Sequence, residues 1–137
     1  MLRKNAKIEL LKRIPLFSGC SKSELAAIAM IADEIDVPPG TTLIREGDTG
    51  REFFILVEGT VEVRQKGRKL PTKGDVGFFG EISLLLNSPT TASVITTSAV
   101  HALVITPRSF RDLLKHSPGI QLKVLSALAE RLAPKTI

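Results

Sequence analysis

A chain of 137 residues is the size of one domain and long enough to bury a core. Its 43% apolar and 24% charged residues are ordinary for a soluble globular protein, and six Phe with no Trp or Tyr argue against a nucleic-acid surface built on base stacking. The single cysteine, Cys20, excludes an internal disulfide and fits a reducing, cytoplasmic setting.

The formal charge of +5 is unevenly placed. Residues 1–13 hold Arg3, Lys4, Lys7, Lys12 and Arg13 against Glu9 alone, which is +4 of that total. This opening lacks the apolar core of roughly seven or more residues that a signal peptide needs, and no run of about 18 apolar residues could span a membrane. Its basic residues are interleaved with Ile8, Leu10, Leu11 and Ile14. That pattern suits a solvated helix face or a surface for anionic lipid or nucleic acid, and the solvated face is the simpler reading.

In chain order, residues 6–14 predict a helix halted before Pro15. Ser21-Lys22-Ser23-Glu24 matches a capping box opening a second helix, with Leu25, Ile28, Ala29 and Ala32 on one face. From Asp33 the period changes to alternation: Ile35 and Val37, the turn Pro38-Pro39-Gly40, then Leu43 and Ile44. A turn cluster from Glu46 to Gly50 precedes a buried strand, Phe53 to Val57. A tight turn at Glu58-Gly59 leads to an alternating strand, Thr60 to Arg64, with Val61 and Val63 on one face. Lys66-Gly67 turns again, and Leu70 leads into a glycine-rich stretch followed by strands over 91–95 and 100–105. Pro107 opens a helix through Leu114. Pro118 opens another, with Ile120, Val124, Leu125, Leu128 and Leu132 on its apolar stripe and Pro134 at its end.

Short strands with a glycine at most turns indicate an antiparallel roll. The expected fold class is therefore mainly β with flanking helices, in a single domain over 1–137. It comprises N-terminal helices over 1–32, a jelly-roll-like β-roll over 33–106 and two C-terminal helices over 107–134. The stripe on the last helix suits packing on the roll or on a second copy, as a homodimer.

The chemistry concentrates between Gly74 and Val94, GDVGFFGEISLLLNSPTTASV. Gly77 and Gly80 flank two phenylalanines, and Ile82 to Leu86 reads as a short helix. A helix that opens on a glycine presents unpaired N–H groups and the positive end of its dipole, which suits an anion. The plainer alternative is a tight strand-to-helix turn. A metal site finds no support, because His101 and His116 lie fifteen residues apart on different elements. No Gly-x-Ser-x-Gly elbow occurs, and Cys20 has no histidine in its element. The chain reads as a binding module that needs no cofactor, not as an enzyme.

Phe79-Gly80-Glu81-Ile82-Ser83-Leu84-Leu85, then Pro89 and Thr91-Ala92-Ser93-Val94, resembles the phosphate-binding cassette of the cyclic-nucleotide-binding domain family, the catabolite-activator-like regulatory domains. Val37, Gly40, Ile44, Glu46-Gly47-Asp48, Phe53 to Leu56, Gly59 and Val61 resemble the first strands of that family's β-roll. The resemblance implies a domain that senses cAMP or cGMP and acts on a separate effector protein. It implies that Glu81 accepts the ribose 2′-hydroxyl, and that Gly80, Glu81, Ile82 and Ser83 aim backbone N–H groups at the phosphate. Thr91 and Ala92 would touch the phosphate through a hydroxyl and an N–H. Phe79, Val61 and Val63 are candidates for an apolar pocket wall, with core packing the plainer reading of the two valines. The helix after Pro118 corresponds to the family's closing lid. Transcription regulators of this type continue into a longer dimer helix and a helix-turn-helix, neither of which occurs in this sequence, so the basic balance is not read as DNA binding.

One position departs from the pattern. Thr90 stands where the family has the arginine that pairs with the cyclic phosphate, and no Lys or Arg occurs between Lys73 and Arg108. Leaving a buried charge without its partner costs about 3–5 kcal/mol, roughly a hundred- to a few thousandfold in affinity. Three outcomes are open. The site binds cAMP or cGMP weakly, helped by a cation such as Arg131 or Lys135; it takes a different ligand, for instance a neutral one; or the domain is an interaction module with an empty cassette. Thr91 occupies the place of the family's guanine-selecting hydroxyl, which does not by itself choose between the two nucleotides.

Overall fold

The change of period at Asp33 is where the chain divides. The computed structural model describes residues 1–49, 51–71 and 77–133. It contains a helical unit, Met1–Ala32 with Phe110–Ile137, and a β unit, Asp33–Ser109.

In the helical unit, α1 (Lys4–Lys12) buries Ile8 and Leu11. Pro15 then opens a 3-10 turn, Pro15–Phe17, where its missing N–H costs nothing, and the turn buries Leu16 and Phe17. The capping box forms as expected at the start of α2 (Lys22–Met30): Glu24 N–H donates to Ser21 Oγ at 3.2 Å, and Ser21 N–H donates to Glu24 Oε1 at 2.8 Å. Lys123 Nζ reaches the same Oε1 at 3.0 Å. The Ser21 N–H above all, then Lys123, holds the Glu24 carboxyl below the ordinary carboxylate range. Burial, with the Glu24 charge, pushes the Cys20 thiol up, away from reactivity.

Two helices come after the roll, α3 (Pro107–Lys115) and α4 (Pro118–Leu132). Phe110 of α3 packs on Phe17 with ring centroids 5.7 Å apart. The apolar stripe expected for α4 needs correction. Ile120, Val124 and Ala127 are buried, whereas Leu125 and Leu132 are about 60% exposed, as is Leu122. At about 100° per residue, Leu125 and Leu132 lie roughly 120–140° around the helix from Ile120, on the outward side.

The β unit holds β1 (Asp33–Val37), β2 (Thr42–Ile44), β3 (Phe53–Glu58), β4 (Val61–Gln65), β5 (Arg68–Leu70), β6 (Phe78–Phe79), β7 (Ser93–Thr96) and β8 (Val100–Ile105). They form two antiparallel four-stranded sheets, ordered β1-β8-β3-β6 and β2-β7-β4-β5. Alternate residues of both sheets meet between them. Leu43, Ile44, Phe54 and Val94 are buried there, with Ile35, Val37, Val61, Val63, Phe79 and Val104 packed against them. Gly59, between β3 and β4, has φ +104, and a Cβ on it would lie 2.5 Å from the Ala99 carbonyl oxygen, so only glycine fits.

On β8, His101 faces Asp36 of β1 in register. Its Nδ1 is 2.8 Å from Asp36 Oδ1, and its Nε2 is 2.8 Å from Glu34 Oε2. The Asp36 hydrogen bond above all holds the imidazole pKa above its ordinary value; burial opposes it, and the Asp36 charge and then Glu34 add to it. Among the described residues, no group of three or more His, Cys, Asp or Glu side chains is arranged to hold a metal, and no helix is long and apolar enough to cross a membrane.

Candidate functional site

Gly80 sets the shape of the site. Its φ of +89 lies in the left-handed region, and a Cβ there would sit 2.6 Å from the Glu52 carbonyl oxygen and 3.4 Å from Ile44 Cδ1. Only glycine lets the chain leave β6 this close to the segment before β3. Past Gly80 the chain forms a 3-10 turn, Glu81–Leu84, rather than the expected helix over Ile82 to Leu86. Ser83 N–H donates to the Gly80 carbonyl at 3.0 Å, and Leu85 and Leu86 both donate to Ile82. The Ser83 N–H, expected to face a phosphate, is therefore spent inside the turn.

This turn forms one wall of a cavity of about 400 Å³, within the range of small-ligand sites. Phe78 to Ser83 and Ser88 to Ala92 both line the cavity, with Ile44, Val63 and Val94 the apolar remainder. All eight residues read as ligand-binding, Phe79, Gly80, Glu81, Ile82, Ser83, Thr90, Thr91 and Ala92, line it. Glu81 and Ser83 are buried, at 8% and 7% exposure. Glu81 is the one ionisable residue among the described lining, beside the hydroxyls of Ser83, Ser88, Thr90 and Thr91.

Of the suggested wall residues, Val63 lines the cavity, while Val61 packs into the core between the sheets. Arg131 lies on α4 in the helical unit, and every lining residue belongs to the β unit. Lys135 and the first residues of the cassette, Gly74 to Val76, lie outside the described residues. Phe78, Ser88, Pro89 and Val94 of the same stretch, and Ile44 outside it, also line the cavity, though sequence reasoning does not single them out as binding residues. Ile44 and Val94 are register partners across β2 and β7, a pairing that neither strand announces alone.

Thr90 faces two ways. It lines the cavity, yet its Oγ1 donates to the Arg45 carbonyl at 2.7 Å, its N–H donates to Asp48 O at 2.9 Å, and its own carbonyl accepts from Gly47 N–H at 2.9 Å.

Comparison with known proteins agrees with this geometry. Residues 34–117 match the family model of the cyclic nucleotide-binding domain. The chain is 31% identical over 129 residues to a CRP-like cAMP-activated global transcriptional regulator of Mycobacterium tuberculosis, covering 90% of this chain and 58% of that protein. It is 36% identical over 108 residues to a cAMP-dependent protein kinase regulatory subunit of Pyricularia oryzae, covering 76% of this chain and 27% of the relative. It thus spans little more than half of the first relative and about a quarter of the second. Among solved structures, the N-terminal domain of a transcriptional regulator from Streptomyces coelicolor A3(2) superposes with a TM-score of 0.82 at 28% identity, over 93% of this chain and 94% of that one. The regulatory domain of Toxoplasma gondii PKA, solved with cAMP, gives 0.70 at 28% identity over 80% of this chain and 43% of that one. With the β-roll, the cassette turn and these matches together, the chain belongs to the cyclic nucleotide-binding domain family and is a regulatory domain of the kind found in CRP-like regulators and protein kinase A regulatory subunits.

Proposed function

We propose that the cavity binds cAMP or cGMP weakly and that the domain passes its occupancy to a separate effector protein. The observation that carries this reading is convergence: Gly80–Ser83 and Thr90–Ala92, ten residues apart in sequence at their starts, line one ligand-sized cavity, and Glu81 among them is a buried residue. Glu81 is the acceptor for a ribose hydroxyl, and a ligand lacking that hydroxyl would forgo a hydrogen bond to a buried carboxylate. Weakness follows from Thr90. Without an arginine at this position the phosphate loses a contact of about 3–5 kcal/mol, which moves a micromolar site to roughly millimolar.

Calorimetric titration of cAMP and cGMP into the native protein and into Thr90→Arg tests this. The expected result is a dissociation constant on the order of millimolar for the native protein and a gain of roughly a hundredfold or more for Thr90→Arg. Silence from both proteins at millimolar nucleotide sinks the reading and leaves an interaction module in its place.

The outward side of α4 favours a homodimer through this helix. Leu122, Leu125, Ala129 and Leu132 are exposed at spacings of three and four, the seam of a two-helix coiled coil.

A further inference from the structure

Beyond the last ladder pair of β2 and β7, Ile44 with Val94, the two segments stay joined as far as the rim of the cavity. Four hydrogen bonds do this. Glu46 N–H donates to Ser93 Oγ at 2.8 Å, Gly47 N–H to Thr90 O at 2.9 Å, Thr90 N–H to Asp48 O at 2.9 Å, and Thr90 Oγ1 to Arg45 O at 2.7 Å. Two of the four use a side-chain hydroxyl where a regular ladder would use backbone, the substitution that Ser and Thr favour where a strand loses register. The ladder does shift register here, between Thr42 and Ile44. The carboxylate of Glu46 also accepts Lys66 N–H at 2.9 Å, so the turn before β3 is tied to the β4–β5 turn as well.

We propose that Thr90 is a positioning residue: its hydroxyl clasps the cavity wall Thr90–Ala92 to the Arg45–Asp48 turn, holding that wall in place before any ligand arrives. The hydroxyl proton goes to the Arg45 carbonyl, so Thr90 serves the site by fixing backbone rather than by donating to ligand. A wall fixed from behind does not have to be ordered by the ligand, which lowers the entropic cost of binding.

Amide hydrogen exchange on the ligand-free protein tests the clasp, and silence in the nucleotide titration would leave this test unaffected. Native protein, Thr90→Val, Thr90→Ser and Ser93→Ala are compared. Thr90→Val is expected to speed exchange at the Gly47 and Thr90 amides by about three- to tenfold while leaving β8 amides at native rates. Thr90→Ser, which keeps the hydroxyl, is expected to restore both. Native rates at Gly47 and Thr90 in folded Thr90→Val overturn the proposal, as does failure of Thr90→Ser to restore them. Should Thr90→Val not fold, Ser93→Ala reads the same rim from its other end. Faster exchange at Glu46 and Gly47 then supports a rim held by hydroxyls, and native rates at both overturn it.

Discussion

His101 bridges two carboxylates of the neighbouring strand, and it can donate to both Asp36 and Glu34 at once only when protonated. Its pKa in the folded protein is raised, so its contribution to stability is fully present below the unfolded value of about 6.5 and is lost as pH rises through the higher folded value. Across β8, Glu58 of β3 is the opposite register partner of His101 and adds a third carboxylate on the flanking strands. Urea midpoints should therefore fall between about pH 6 and pH 8 in the native protein and stay flatter in His101→Gln. Equal slopes in the two proteins would refute this. A lone histidine on a strand carries no sign of such a bridge in sequence, because its partners sit 65 and 67 residues away. The reading that Thr90 stands in an arginine's place needs only its neighbours. Its bond to a carbonyl 45 residues upstream is not legible from them.

At the scale of elements, two glycines do comparable work in different places. Gly80 and Gly59 both have positive φ, and a Cβ on either would crowd a carbonyl oxygen, at 2.6 Å and 2.5 Å respectively. Alanine at each should cost about 1–3 kcal/mol of unfolding free energy, seen as a lower urea midpoint. Gly80 lines the cavity and Gly59 does not, so Gly80→Ala should also abolish nucleotide binding while Gly59→Ala keeps it. To make the affinity measurable, both are read in the Thr90→Arg background. Equal retention of binding would show that the turn at Gly80 does not shape the site. Six of the eight strands are legible from sequence, β1 and β4 by alternation, β3 as an apolar run, and β2, β7 and β8 from short apolar or β-branched stretches between turns. β5 and β6, of three and two residues, escape because so short a run carries no period. The cassette can be read because its residues are close in sequence, whereas Ile44, fifty residues before its partner Val94, joins the cavity lining through pairing across strands.

For the whole molecule, leucine spacing alone does not say which of two apolar lines of α4 faces inward, and it places the outward leucines on the buried stripe. The buried line, Ile120, Val124 and Ala127, leaves Leu122, Leu125 and Leu132 exposed. If a second copy covers them, sedimentation at tens of micromolar should give a dimer, and Leu122→Glu with Leu125→Glu a folded monomer. A native protein that sediments as a monomer at that concentration would remove the dimer reading.

The helical unit is assembled from two pieces of chain with the whole β unit between them. Phe17 must wait for Phe110, and Glu24 for Lys123, 99 residues later. On the ribosome, the first two helices therefore emerge without the partners that complete their core, while the roll, continuous in sequence, can close as soon as β8 has appeared. At about 5–20 residues per second, the leading helices spend several seconds with apolar faces uncovered, the interval in which a chaperone or a misfolded neighbour would find them.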